Sequence, residues 1–236
     1  MAIIPLKKQG EGIVAEIETL TVDEPLGERI ERHNFDRLLM LSDGVFAIAI
    51  TLLVLELRPP EHWDGQLATL LQAMWRPLFA YSAGFLVIGG FWGMHRVIFA
   101  KLRRVDRIAT CLALFLLFLV AGVPAVTALI ADHGPAKAMP VYFLMVATIS
   151  VVQLALWSYA ALIADLADSS LDRRDRISQA VRLALPLVIF GSAAAANLSG
   201  TNVMSPLVLF IVAAAILSGR LLLWRQRQAH KRAPGN

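Results

Sequence analysis

Asp43 stands inside the run Leu38-Leu-Met-Leu-Ser-Asp-Gly-Val-Phe-Ala-Ile-Ala-Ile-Thr-Leu-Leu53, beside Ser42 and six residues after Arg37. His95 stands inside a second apolar run, within Phe91-Trp92-Gly93-Met94-His95-Arg96. A carboxylate at the centre of a membrane helix costs roughly 2.5–3.5 kcal/mol, so each such group needs a partner or a function. Arg37, Asp43 and His95 fall at similar depth if both runs cross a membrane, and a hydrogen-bonded network among them is geometrically reasonable. Asp43 has two readings. It is a structural group satisfied by a hydroxyl or a cation, or it is a cation ligand in a conduction path. Neither makes the chain an enzyme: catalysis needs several convergent polar groups, and these three come without a nucleophile.

The same helix carries a second pattern. Ile48, Leu52 and Leu55 recur at i, i+4 and i+7, and at about 100° per residue they lie some 120–180° around the helix from Asp43. Thr51 falls on the shoulder of that stripe. If one face lines a pore, the other packs inside the subunit, and periodicity alone does not choose between them. Gly44, Ala47 and Ala49 permit close helix approach, which suits a helix packed centrally.

The elements that carry these residues are transmembrane helices. The chain has 236 residues, 57% hydrophobic and only 17% charged, with a mean hydropathy of +0.63, displaced from soluble proteins toward the membrane class. Six runs are long enough to span: Leu38–Leu57, Pro77–Ala100, Ile108–Ala131, Ala138–Ala164, Ile177–Leu198 and Val203–Trp224. The first ends at Arg58-Pro59-Pro60, because a proline pair cannot continue a helix. An amphipathic lead from Gln66 precedes the second. The expected organisation is a charged cytoplasmic segment over residues 1–35, helical through Glu28–Phe35, a six-span unit over 36–225 and a basic tail over 226–236. All elements are helical, so the fold class is all-α.

Orientation follows from Lys and Arg. Of the 22, five precede the first span, five lie between the second and third, four between the fourth and fifth, and five follow Gly219. The other three, Arg58, Arg76 and Lys137, fall on the opposite side. The positive-inside rule then puts both termini in the cytoplasm. A net charge of +4 gives no reason to expect a nucleic-acid partner. Cys111 is the only cysteine, which excludes an internal disulfide, and it reads as a packing residue. Trp157, Tyr159 and Trp224 read as interface anchors, and Pro124 and Pro186 as helix bends. There is no Thr-Val-Gly-Tyr-Gly filter, no helix of regularly spaced arginines, no nucleotide-binding loop and no compact metal-ligand set. No metal or cofactor is expected.

The first run resembles the first helix of the transmembrane protein 175 family, the lysosomal potassium channel and its prokaryotic relatives. The family pattern is Arg, three residues, Phe-Ser-Asp, seven residues, Thr-Leu. Arg37, Ser42, Asp43, Thr51 and Leu52 match it, with Leu41 in place of the phenylalanine. Phe91-Trp92-Gly-Met-His95 is similar to the family's Phe-Trp-x-x-His signature in the second helix. The resemblance implies a homotetramer in a prokaryotic plasma membrane, with four first helices lining a central pore for potassium ions. It makes Ile48 the narrowest ring, Leu52 and Leu55 further apolar rings, and Thr51 the hydroxyl layer tied to potassium preference. It assigns Arg37, Ser42, Asp43, Trp92 and His95 to a network joining the first two helices. The competing readings are a proton-conducting pathway or a secondary transporter using Asp43 and His95. Animal members of the family are also described as passing protons, whereas the inverted repeat expected of a transporter is not evident.

Overall fold

The computed structural model describes residues 26–60 and 62–199. Helix α1 runs Leu26–Leu52 and tightens into a 3-10 turn over Leu53–Glu56. Helix α2 spans Leu67–Phe99, α3 Arg107–Ala121, α4 Val123–His133, α5 Pro135–Ser158 and α6 Arg173–Leu198. A π-helical turn, Tyr159–Ile163, extends α5. With α3 and α4 taken together, five helical segments among the described residues are long and apolar enough to cross a membrane. The sixth expected span, Val203–Trp224, lies outside the described residues, as do residues 1–25, Trp224 and the basic tail.

The boundaries reflect local chemistry. Pro77 lies inside α2 without ending it, so the amphipathic lead and the second span form one helix. The third span is interrupted at Gly122, and Pro124 sits in the first turn of α4, where its missing N–H costs no hydrogen bond. The chain enters α5 through Gly134 at φ 79°, a conformation that side chains disfavour, and Pro135 then opens the helix. Asp106 accepts from the Ala109 amide to cap α3, and Asp172 accepts from the Arg173 amide to cap α6.

Helix α5 occupies the middle of the bundle, packed against α3, α4 and α6. Tyr142, Phe143, Ile149, Val152, Leu156 and Trp157 are buried on several of its faces, as expected of a helix that is apolar all round. Trp157 is therefore not the expected interface anchor: it is fully buried, and its Nε1 donates to the Arg176 carbonyl at 2.9 Å. Cys111 departs from expectation the other way, exposed on the surface of α3.

At one end of the bundle the α2–α3 and α5–α6 connections clasp each other. The Arg103 amide donates to Leu166 O, the Asp168 amide donates to Lys101 O, and Leu102 pairs with Ala167 as an antiparallel bridge. Arg176 ties the clasp to α6 by donating to Ala161 O at 2.8 Å and pairing with Asp165 at 2.6 Å. That hydrogen bond, with the guanidinium charge, holds the Asp165 carboxyl below the usual carboxylate range. Two of the Lys/Arg-rich connections thus share one end. Arg76 and Lys137 lie with Gly134 at the α4–α5 turn, away from the clasp.

Candidate functional site: the first helix and its contacts

The packed face of α1 is Leu38, Ser42, Phe46, Ala49 and Leu53, all buried. Their spacing of four, four, three and four draws one stripe along the helix. It is neither the Asp43 face nor the Ile48 stripe, so the two-way choice drawn from periodicity omits a third face. Ser42 belongs to this stripe, and its hydroxyl donates to Leu38 O at 2.8 Å within α1 itself. Leu38 packs with Phe99 and Leu102 near the clasp, while Phe46, Ala49 and Leu53 join Ile88, Phe91 and the central core.

Around the helix from the packed stripe, Ile48 is 59% exposed, Leu52 41% and Leu55 64%. Thr51, Gly44 and Ala47 are exposed with them. The Thr51 hydroxyl donates to Ile48 O at 2.8 Å, which commits its proton and leaves its oxygen as a free acceptor. From Gly44 to Leu55 this face of the helix is apolar except at Thr51, with Asp43 at its margin.

Asp43 is exposed on the single chain yet held from one side. Trp92 Nε1 donates to its Oδ1 at 2.8 Å. The Arg96 guanidinium, one turn further along α2, lies 4.8 Å from the Trp92 ring centroid, within range of a cation–π contact. Asp43, Trp92 and Arg96 therefore form a ladder from α1 onto α2. Arg96 was not among the residues expected at the site, although its i+4 spacing from Trp92 was visible in the sequence.

His95 is brought beside the ladder but not into it. Its side chain is fully buried between Phe46, 5.5 Å between ring centroids, and Phe99, 4.4 Å. Neither ring nitrogen has a hydrogen-bond partner. Arg37 is exposed, without a hydrogen-bond or ion-pair partner among the described residues. Of the five residues expected to form one network, the structure joins Asp43 to Trp92, cages His95 in aromatic rings, turns Ser42 back onto its own helix and leaves Arg37 at the surface. Gln153 of α5, which the sequence did not single out, reaches the same region: its amide donates to Phe91 O at 3.4 Å.

Similarity to known proteins covers this pair of helices and extends beyond it. A family model described as endosomal/lysosomal potassium channel TMEM175 matches residues 37–124. A potassium channel from Streptomyces collinus is 38% identical over 150 residues, which cover 61% of this chain and 73% of that protein. The endosomal/lysosomal proton channel TMEM175 of Gallus gallus is 28% identical over 156 residues, 60% of this chain but 30% of that longer protein. Among solved structures, the crystal structure of a lysosomal potassium-selective channel TMEM175 homologue from Chamaesiphon minutus superposes with a TM-score of 0.67 at 31% identity, covering 78% of this chain and 97% of that one. Both signature motifs, the helical fold and nearly three quarters of a bacterial relative are accounted for together, and the chain is a multi-pass membrane protein belonging to the TMEM175 family.

Proposed function

We propose that this chain is the subunit of a potassium-preferring cation channel, with six spans, both termini in the cytoplasm and four copies around a central pore in a prokaryotic plasma membrane. The observation that carries the reading is the exposed face of α1, apolar at Ile48, Leu52 and Leu55 and turned away from the packed stripe. That face is available to line a pore shared among copies, and the relatives named as potassium channels supply the permeant ion.

A ring of four Ile48 side chains offers no oxygen to replace an ion's hydration shell. A narrow ring of this kind closes by dewetting and conducts only when it widens to admit a hydrated or partly hydrated ion. Leu52 and Leu55 extend the constriction. Thr51 contributes the acceptor next to it, its proton being already given to Ile48 O. Selectivity is modest, since no carbonyl cage grips the ion. Asp43, bound to Trp92, holds α1 against α2 and stands outside the ion path. The test is ion flux in liposomes: Ile48→Asn, which puts a polar group at the ring, raises leak at matched expression. Unchanged flux in that variant takes α1 out of the pore.

A second reading, proton passage through Asp43 and His95, has one observation in its favour. The His95 ring nitrogens are both unpartnered in the interior, free to exchange a proton with water that enters. Against it, Asp43 bonds to Trp92 and not to His95.

A further inference from the structure

Where α1 ends, its last turn leans on a hollow in α2. Leu53 is 0% exposed, whereas Leu52 and Leu55 around it face outward. The hollow exists because residue 84 is glycine. A Cβ there would come within 2.9 Å of Leu53 Cδ2, 3.2 Å of Leu53 Cδ1 and 3.1 Å of Thr127 Oγ1. Thr127 closes the far wall. It is buried, and its hydroxyl donates to Val123 O at 2.9 Å, so its methyl and oxygen are fixed relative to the start of α4. The break at Gly122 places that start, and with it this wall.

The turn seated here is anchored by Leu53. It is a 3-10 turn of four residues, Leu53–Glu56, whose weaker hydrogen bonds mark the end of the helix, and Arg58-Pro59-Pro60 prevents the helix from continuing. Leu53 is its buried residue. Around the turn Leu52 lies about 100° and Leu55 about 160° from Leu53, on the same side, so a displacement of Leu53 out of the hollow carries the exposed leucines away from α2 with it.

We infer that the Gly84–Thr127 hollow is a positioning site for the pore helix: the depth to which Leu53 seats in it sets how far Leu52 and Leu55 project from the subunit. The inference rests on the reading that the exposed face of α1 lines the pore. Filling the hollow drives the end of α1 toward the pore axis and narrows it. Emptying the Leu53 side lets α1 settle back and widens it.

Gly84→Val adds three carbons to the hollow and Leu53→Ala removes three, so the pair is matched in volume. The experiment measures potassium flux per assembled channel in liposomes for each single variant, for the double variant, and for Leu53→Val as a gentler emptying. Thermal midpoint and elution volume are recorded for each. Gly84→Val is expected to lower flux and Leu53→Ala to raise it, each by roughly threefold or more, with the double variant returning to within about twofold of wild type. Leu53→Val follows Leu53→Ala in direction.

A hollow that serves packing alone changes thermal midpoint without opposite shifts in flux. Wild-type flux in the assembled variants, the same sign of change in both directions, or a double variant no nearer wild type than the singles overturns the inference. Should Gly84→Val not assemble, the two Leu53 variants and the double variant still decide it. Ile48→Asn is run alongside. If it raises flux while the hollow variants do not, the positioning role fails alone; if it too is silent, the pore reading fails first.

Discussion

Trp92 Nε1 donates to Asp43 Oδ1 at 2.8 Å, and so an intramembrane carboxylate on α1 is anchored to α2 by an indole that itself carries the Arg96 guanidinium on its face. A hydrogen bond to a charged acceptor contributes about 1.5–3 kcal/mol. Trp92→Phe keeps an aromatic face for Arg96 but shrinks the ring and removes the donor. It is expected to lower the stability of the solubilised protein by about that amount, read as a fall in thermal midpoint. Asp43→Ala is expected to reduce the assembled fraction on size-exclusion chromatography, whereas Asp43→Asn retains an acceptor and most of the assembly. A stable Asp43→Ala assembly with altered ion selectivity puts the carboxylate in the ion path instead.

Thr51 is polar on an otherwise apolar stretch of exposed helix, and its oxygen is free to accept because its proton goes to Ile48 O. Thr51→Val keeps the branched shape and removes the acceptor. The expected outcome is a lower potassium-to-sodium flux ratio with little loss of total current, measured in parallel liposome preparations. An unchanged ratio removes Thr51 from ion selection.

Asp165, in the α5–α6 connection outside the membrane-spanning helices, pairs with Arg176 in the first turn of α6 and closes the clasp. Its carboxyl is held below the ordinary range, chiefly by the Arg176 hydrogen bond. A depressed carboxylate pKa stabilises the fold above the unfolded value and loses that contribution as pH falls through the folded one. Asp165→Asn is therefore expected to lower the thermal midpoint at pH 7, with the gap to wild type closing as pH falls below about 4. The group is exposed, so the effect is small. A gap that stays constant with pH assigns the loss to packing.

Much of the architecture is readable from composition and run length. The described spans end close to the apolar runs because burial in lipid demands about 20 apolar residues whatever the fold, although α1 and α2 start earlier than the runs, at Leu26 and Leu67. The face of α1 that packs is not readable in the same way. In a membrane helix both the lipid- or pore-facing side and the packed side are apolar, so Phe46 and Leu53 look no different from Ile48 and Leu55. Volume complementarity decides between them, as at Gly84, and that is a property of two helices together. His95 and Arg37 illustrate the complementary limit. Similar depth is legible from spacing, but which polar groups meet depends on helix rotation, and the rotation gives Asp43 to Trp92 and His95 to Phe46 and Phe99. The clasp of the α2–α3 and α5–α6 connections is equally hidden, since the hydrogen bonds that join the two connections are made by backbone groups that carry no sequence signature.

On the proposed reading, potassium crosses the membrane through this protein by itself. Purified protein in liposomes, given a potassium gradient or an equal sodium gradient with and without a protonophore, tests it most directly. Potassium flux should exceed sodium flux, with protons moving only through the added protonophore to balance charge. No cation flux in either gradient, or proton movement that persists without protonophore and without potassium, contradicts it.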